Sequence, residues 1–311
     1  MDNAAQDRRK LPEWLSVSDW TAPDGWRLRA FSASPSQGVP VRGSLLFQTG
    51  RADFIEKYLE SIAHWRVRGW NVAGFDWRGQ GGSGRLLADP RVGHAPPYAL
   101  LVDDLAAFLG AWQARTPPPH LLVGHSMGAH LLLRLLADRQ PPVAGAALLS
   151  PMCGLDTRPL PEAVARLLVA LACRLGLSDR PVWKDKGRSG HRQRNLTHSL
   201  VRYEDELWWR GQHPMLDVGP PSWGWLHESW RSIDWLRRPG MIERVGVPVL
   251  LLWSERDRLV RPSATRAVAA RLARARVGVS QDAAHELLRE EGVLQNWAVA
   301  ELDAFLESFA A

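Results

Sequence analysis

The sequence predicts an α/β fold, a mostly parallel sheet flanked by helices, with a helical block inserted late in the chain. Three observations predict it. Between Asn71 and Leu149, short apolar runs alternate with helix-length periodic segments in the order β, α, β, α, β, as expected for parallel strands joined by crossover helices. The alternation stops over residues 152–240, which carry helical periodicity, Trp-rich runs and Gly/Pro breaks but no convincing strand pattern. Sheet-type sequence resumes at Pro248. The expected organisation is a core made from residues 1–151 and 241–311, with a helical cap over residues 152–240.

The elements follow in chain order. Val17 to Trp20 and Trp26 to Phe31 flank the turn signal Ala22-Pro23-Asp24-Gly25 and predict a hairpin. Gly43 to Gln48 reads as the next strand. Ile55, Tyr58, Leu59 and Ile62 are spaced i, i+3, i+4, i+7 and predict a helix. Asn71 to Phe75 predicts a strand, Tyr98 to Trp112 a helix that ends before Pro117-Pro118-Pro119, and His120 to Gly124 a buried strand. The helix opened by Ser126 is apolar nearly all round from His130 to Leu136, so it should be buried. Val143 to Leu149 and Pro248 to Trp253 predict strands. Ser263 to Ala273 predicts a helix, Val277 to Val279 a short strand, and Gly292 to Phe309 a final helix with one apolar face.

Composition bounds the function. The chain has 311 residues, 45% hydrophobic and 23% charged, which is ordinary for a globular protein. No stretch of 18 uninterrupted apolar residues occurs, and the opening MDNAAQDRRKLPEW lacks an apolar leader region. A cytoplasmic protein is expected. Cys153 and Cys173 are the two cysteines; free thiols in a reducing compartment are the expectation, with a disulfide left open. The net charge of +6 comes from scattered arginines without interleaved aromatics, so nucleic acid is not an expected partner.

The chemistry starts at Gly124-His125-Ser126-Met127-Gly128. This G-x-S-x-G follows a buried strand and precedes a helix, the setting of a nucleophile elbow. The two Gly positions permit the tight turn, and the helix N-terminus offers N–H groups to developing negative charge. A serine hydroxyl needs a base. Where this elbow occurs, the acid follows the nucleophile in sequence and the histidine comes last. His285, within Asp282-Ala283-Ala284-His285-Glu286, fits that place. His64, His120, His191, His213 and His227 are read as surface or satisfied core residues. Asp257, four residues after the run Val249 to Trp253, is the expected acid, with Glu255 as its rival and Asp282 set aside as lying on the wrong loop. Two N–H groups should hold an oxyanion, those of Met127 and Arg51, with Gly50 letting the backbone approach the substrate. This chemistry needs no cofactor and no metal.

Four stretches carry a resemblance: Gly50-Arg51 through Phe54-Ile55-Glu56-Lys57-Tyr58, Asp76-Trp77-Arg78-Gly79-Gln80-Gly81, Gly124 to Gly128, and His285-Glu286-Leu287-Leu288-Arg289-Glu290. In these the chain resembles the bacterial lysophospholipase and monoacylglycerol lipase branch of the α/β-hydrolases. The resemblance implies a helical cap over the active site and hydrolysis of acyl esters. Thr49 stands where many relatives carry His, Ala129 where a second Gly follows the elbow, and Ser254 where Gly often precedes the acid. Asp76 and Arg78 are expected to order their loop as a pair. Gly93-His94 also resembles a loop of the family.

Seven of the 16 tryptophans fall between Trp183 and Trp235. Trp suits both an acyl-chain pocket and a membrane interface. Trp208-Trp209 and Trp223-x-Trp225 place neighbours on different faces, so one of each pair should leave the core. Trp209, Trp223 and Trp225 are candidate substrate contacts, and the cap a candidate site of peripheral membrane contact. The expected substrate is a small lipid or ester of monoacylglycerol or lysophospholipid type. Acyl transfer by the same three residues and a catalytically silent binding protein are the alternatives. Oligomeric state is not legible.

Overall fold

The structure, a computed structural model, describes residues 8–184 and 190–310. The opening residues 1–7 and the side chain of His191 lie outside the described part.

The hairpin forms from β1 (Leu15–Thr21) and β2 (Arg27–Ala33), with Gly25 at φ +87° in the turn. Then come β3 (Gly43–Gln48), a 3₁₀ turn over Ile55–Tyr58, α1 (Leu59–Val67) and β4 (Trp70–Phe75). The expected single helix from Ile55 therefore begins as a tighter turn. Its first N–H, that of Ile55, is taken by Asp76 Oδ1 at 3.0 Å, and Lys57 N donates to Phe54 O at 3.2 Å, a bond across three residues. Next are α2 (Tyr98–Gln113), β5 (His120–His125), α3 (Met127–Arg139) and β6 (Gly145–Leu149). Residues 152–240 supply α4 (Glu162–Arg174), α5 (Gly190–Leu196), α6 (Leu200–Gln212) and α7 (Trp223–Arg237). The chain closes with β7 (Val249–Ser254), α8 (Pro262–Ala269), β8 (Ala275–Ser280) and α9 (Gly292–Glu307). Helix α8 stops short of the expected Ala273, and β8 starts earlier than expected. Its alternation is hidden in sequence because Arg276 sits on an exposed edge.

The sheet has eight strands in the order β1-β2-β4-β3-β5-β6-β7-β8. β1–β2 and β2–β4 pair antiparallel, and every other neighbour pairs parallel. Both faces are covered, as a parallel sheet requires. Successive residues serve opposite cores. Leu46, Leu122, Leu148 and Leu251 join α2 and α3 on one side, while Leu45, Leu121, Val123 and Leu250 join α1 and α9 on the other.

The winding sets the site. From β3 the chain moves to β4 on one side, then crosses back to place β5 on the other. Such a reversal leaves a crevice at the carboxyl ends of the two central strands. The register pairs Gln48 with Gly124. Thr49-Gly50-Arg51 and His125-Ser126-Met127 thus leave the sheet side by side.

Candidate active site

Ser126 occupies the turn from β5 to α3 with φ +53° and ψ −115°, a backbone state that costs energy unless its surroundings hold it. They do. Its N–H donates to Leu149 O at 2.9 Å, and its carbonyl accepts from His130 N and Met152 N at 3.0 and 3.1 Å. The two glycines are required by contact. A Cβ on Gly124 would lie 2.8 Å from Ala129 N, and one on Gly128 would strike the carbonyl oxygens of Gln48 and Thr49. The Ser126 hydroxyl makes no capping bond to the helix, so its position is not explained by helix capping.

His285 and Asp257 meet that hydroxyl. His285 Nε2 lies 2.9 Å from Ser126 Oγ, and Nδ1 lies 2.6 Å from Asp257 Oδ2. Asp257 Oδ1 accepts from the N–H groups of Leu259 and Val260 at 2.8 and 3.0 Å, which fixes the carboxylate. All three are buried. Glu255 instead binds Trp253 Nε1 and Arg266, and Asp282 binds Arg256 at an exposed surface. Burial alone would keep the imidazole neutral, but the Asp257 charge and its hydrogen bond outweigh it and raise the His285 pKa above 6.5. The neighbouring His125 ring, 4.8 Å away between centroids, is pushed down to about 4 by burial and by His285, and so stays uncharged.

A general base works only when unprotonated. Activity should therefore fail as pH drops through the His285 pKa. The acid limb of kcat/KM is expected above pH 6.5, and Asp257→Asn should move it to lower pH because the stabilising charge is gone. A pH–rate profile of both proteins checks this; an unmoved limb would break the link between the two residues.

The loop after β3 is held at nearly every polar backbone group. Gly50 N donates to Asp53 Oδ2 at 2.9 Å and Ala52 N to Gln80 Oε1 at 3.1 Å. Gly50 O accepts from Gln80 Nε2 at 2.7 Å and Ala52 O from Arg210 at 3.2 Å. Ala52 sits at φ +58° under these restraints. Among the described residues no acceptor takes the N–H of Arg51 or of Met127. Gly50 lies against Ser126: a Cβ there would be 3.0 Å from the serine Cβ. This arrangement can offer two free donors beside the Ser126 hydroxyl, the kind of donor pair that a tetrahedral intermediate requires.

Sequence reasoning missed what holds the loop. Asp53, Lys57, Glu206, Glu286, Arg289 and Arg210 form one buried ion cluster. Lys57 Nζ touches Asp53, Glu286 at 2.7 Å and Glu206 at 3.0 Å. Arg289 bridges Glu206 at 2.9 Å and Glu286. Only the local spacings Asp53/Lys57, Glu206/Arg210 and Glu286/Arg289 hinted at it. The inserted helices also bind the histidine loop directly: His285 N and Glu286 N donate to Asn195 O and Leu196 O at 3.3 and 2.8 Å.

One expected pairing is corrected. Asp76 and Arg78 do not bind each other. Asp76 turns into the core toward Arg29 and the N–H groups of Ile55 and Gly82. Arg78 points elsewhere in the protein, to Asp24 and buried Asp104. His94 Nδ1 binds Ser222 Oγ at 2.7 Å, and Gly93 N donates to Pro220 O, so this loop ties the core to the inserted helices. Trp208 and Trp223 are the partly buried members of their pairs. Trp209 is buried, donates to Arg8 O and stacks on His213. Trp225 lies beneath the Arg51 guanidinium, 5.1 Å from its carbon. Cys153 and Cys173 are free.

Probable lysophospholipase L2 of Haemophilus influenzae is 28% identical over 274 residues, covering 86% of this chain and 84% of that protein. Lysophospholipase L2 of Escherichia coli is 34% identical over 224 residues, covering 68% of this chain and 62% of the relative. Among solved structures, a soluble variant of monoglyceride lipase from Saccharomyces cerevisiae superposes with a TM-score of 0.77 at 18% identity over 97% of each chain. The monoacylglycerol lipase of Paleococcus ferrophilus does so with a TM-score of 0.70 at 19% identity, over 90% of this chain and 99% of that one. The fold is that of the α/β-hydrolases. The family described as serine aminopeptidase, S33, matches residues 39–292, and the chain belongs to it.

Proposed function

We propose that the protein is a serine hydrolase of carboxylic esters that carry an acyl chain, of lysophospholipid or monoacylglycerol type. The observation that carries this reading is the continuous hydrogen-bonded line from Ser126 Oγ through His285 to Asp257. Ser126 attacks the ester carbonyl while His285 takes its proton. Asp257 orients the imidazole and stabilises its charged form. The N–H groups of Arg51 and Met127 receive the oxyanion. The C–O bond then breaks, His285 returns the proton to the leaving alcohol, and water activated by the same imidazole releases the fatty acid. The lysophospholipase names of the curated relatives support the substrate class. No observation favours acyl transfer or a silent binding role.

In this reading the inserted helices cap the site and meet the lipid surface. Helix α4 supports that second part. Val169 and Ala172 are its buried residues, whereas Val164, Leu167, Leu168 and Leu171 are exposed, continuing to Leu175 beyond its end. These positions form one apolar stripe at helical spacing. Exposed Arg174 ends the helix, and exposed Arg180 and Lys184 follow it in the chain, the charge that an anionic headgroup layer attracts. No helix among the described residues is long and apolar enough to cross a membrane, so contact would be at the surface.

One experiment tests both parts. Purified protein should hydrolyse soluble nitrophenyl esters of graded chain length, and also a long-chain lysophospholipid or monoacylglycerol held in anionic vesicles. Leu167→Asp with Leu171→Asp should lower the vesicle rate about tenfold or more, through apolar area lost from the interface, while the soluble ester is still cleaved. Absence of ester turnover would end the hydrolase reading. Equal vesicle rates would end the membrane role of α4.

A further inference from the structure

Arg51 has a second feature besides its backbone N–H. Its side chain runs into the seam between the core and the inserted helices. There Nη2 donates to Gly219 O at 2.6 Å, and the guanidinium lies over Trp225 and against Gly93. Its Nε is sealed from solvent and has no hydrogen-bond partner. Among the described residues no carboxylate pairs with it. Other buried and half-buried arginines are handled differently. Arg29 meets Glu56 and Asp76, Arg78 meets Asp24 and Asp104, Arg210 meets Glu206 and Asp217, and Arg289 meets Glu206 and Glu286.

Arg51 is half-buried, and a cation drawn out of water without a paired anion is costly. Burial pushes the Arg51 pKa down to about 9; the charges of Arg192 and Arg210 push in the same direction, and that of Asp53 opposes them without restoring it. At neutral pH the group still carries its charge. Among the described residues no carboxylate pairs with this cation, which lies one residue from Gly50, itself packed on Ser126.

We propose that the Arg51 guanidinium, braced by Gly219 O and Trp225, is the seat for the phosphate of a substrate's headgroup. The proposal rests on the ester-hydrolase reading and narrows its substrate class to lysophospholipids over neutral monoacylglycerols. The chemistry suits it: a planar guanidinium binds phosphate through paired N–H donors. In a lysophospholipid a short run of glycerol bonds separates the scissile carbonyl from the phosphate. The backbone N–H and the side chain of one residue would then hold the oxyanion and the headgroup of the same molecule. The same charge disfavours a substrate presenting a free ammonium at this place.

The test is a ratio. kcat/KM is measured for palmitoyl lysophosphatidylcholine and for monopalmitoylglycerol in identical mixed micelles, for the native protein, Arg51→Met and Arg51→Lys. Both substitutions keep the backbone N–H, and any disturbance of the oxyanion loop enters both substrates and divides out. The lysophospholipid-to-glyceride ratio should fall about 10- to 100-fold in Arg51→Met, as expected for losing hydrogen bonds to a charged group. Arg51→Lys should fall in between, since it keeps the charge without the fork; it also carries the comparison if the Met variant fails to fold. A ratio unchanged in the variants, with the native protein active, overturns the Arg51 assignment and leaves the hydrolase reading standing. Inorganic phosphate provides the second arm. If it competes with a nitrophenyl ester in an Arg51-dependent way while the lipid ratio stays unchanged, the site takes free phosphate and the headgroup assignment is overturned. A native protein inactive on every ester removes the hydrolase reading and this proposal with it.

Discussion

Ser126→Ala is expected to lower kcat on acyl esters by about a millionfold, to the residual rate that substrate binding and oxyanion donors sustain alone. The argument is geometric. Among the described residues Ser126 supplies the hydroxyl in contact with His285 Nε2. Nearby Ser150 Oγ donates to the His285 carbonyl at 2.8 Å and is not placed to replace it. The serine hydroxyl caps nothing, so the alanine protein loses one hydrogen bond and no packing. The strained backbone at φ +53° is as hard for alanine as for serine. Melting temperature should hence stay close to native while turnover disappears. Labelling by a fluorophosphonate should vanish in parallel. Retained turnover in a folded Ser126→Ala protein would remove the hydrolase mechanism entirely.

The meeting of Ser126, His285 and Asp257 was open to sequence reasoning for a physical reason. A tight strand-to-helix turn excludes side chains at Gly124 and Gly128, and a buried sheet imposes a chain order on what can reach its carboxyl edge. Those demands are local or topological, so they leave marks in the sequence. The hydrogen-bonding neighbours of the loop after β3 leave none. Gln80, Asp53 and Arg210 come from three segments, and their convergence depends on packing. Arg51 reads in sequence as a donor after a glycine. That no carboxylate among the described residues pairs with its guanidinium depends on how distant segments pack around it, which no spacing encodes. Helix α4 is an intermediate case. Its apolar run from Ala163 to Cys173 is obvious, but which side stays uncovered is decided by where α7 packs. The expected Asp76–Arg78 pair failed similarly: residues two apart in a loop faced opposite ways, and each found its partner on another element.

Lys57→Met is expected to destabilise the protein by about 3–5 kcal/mol, the cost of leaving buried charges without their partner. Melting temperature should drop on the order of 10 °C. Lys57 is sealed among three carboxylates, Asp53, Glu206 and Glu286. Burial opposes its charge, yet those carboxylates raise its pKa above the ordinary 10.5. Arg289 and Arg210 still serve Glu206 and Glu286 after the substitution, but Asp53 would keep only the N–H of Gly50 and the hydroxyl of Tyr58. Asp53 is therefore the residue most exposed to the change. Burial raises its pKa, but the Lys57 charge and its hydrogen bond outweigh it and hold it at about 2, against 3.8 when free. A depressed carboxylate contributes stability above its unfolded pKa and loses it as pH falls toward the folded one, so the native protein should weaken between about pH 4 and 2. In Lys57→Met that acid transition should shrink, and Asp53→Asn added to Lys57→Met should restore part of the lost stability by removing the stranded charge. Thermal denaturation of the native, single and double variants at neutral and acid pH checks this. A neutral Lys57→Met would mean that the cluster is held by Arg289 and Arg210 alone. Because Asp53 also positions Gly50 against Ser126, the folded fraction of Lys57→Met should turn over more slowly per molecule. The cluster thus couples the stability of the seam between core and inserted helices to the shape of the loop after β3.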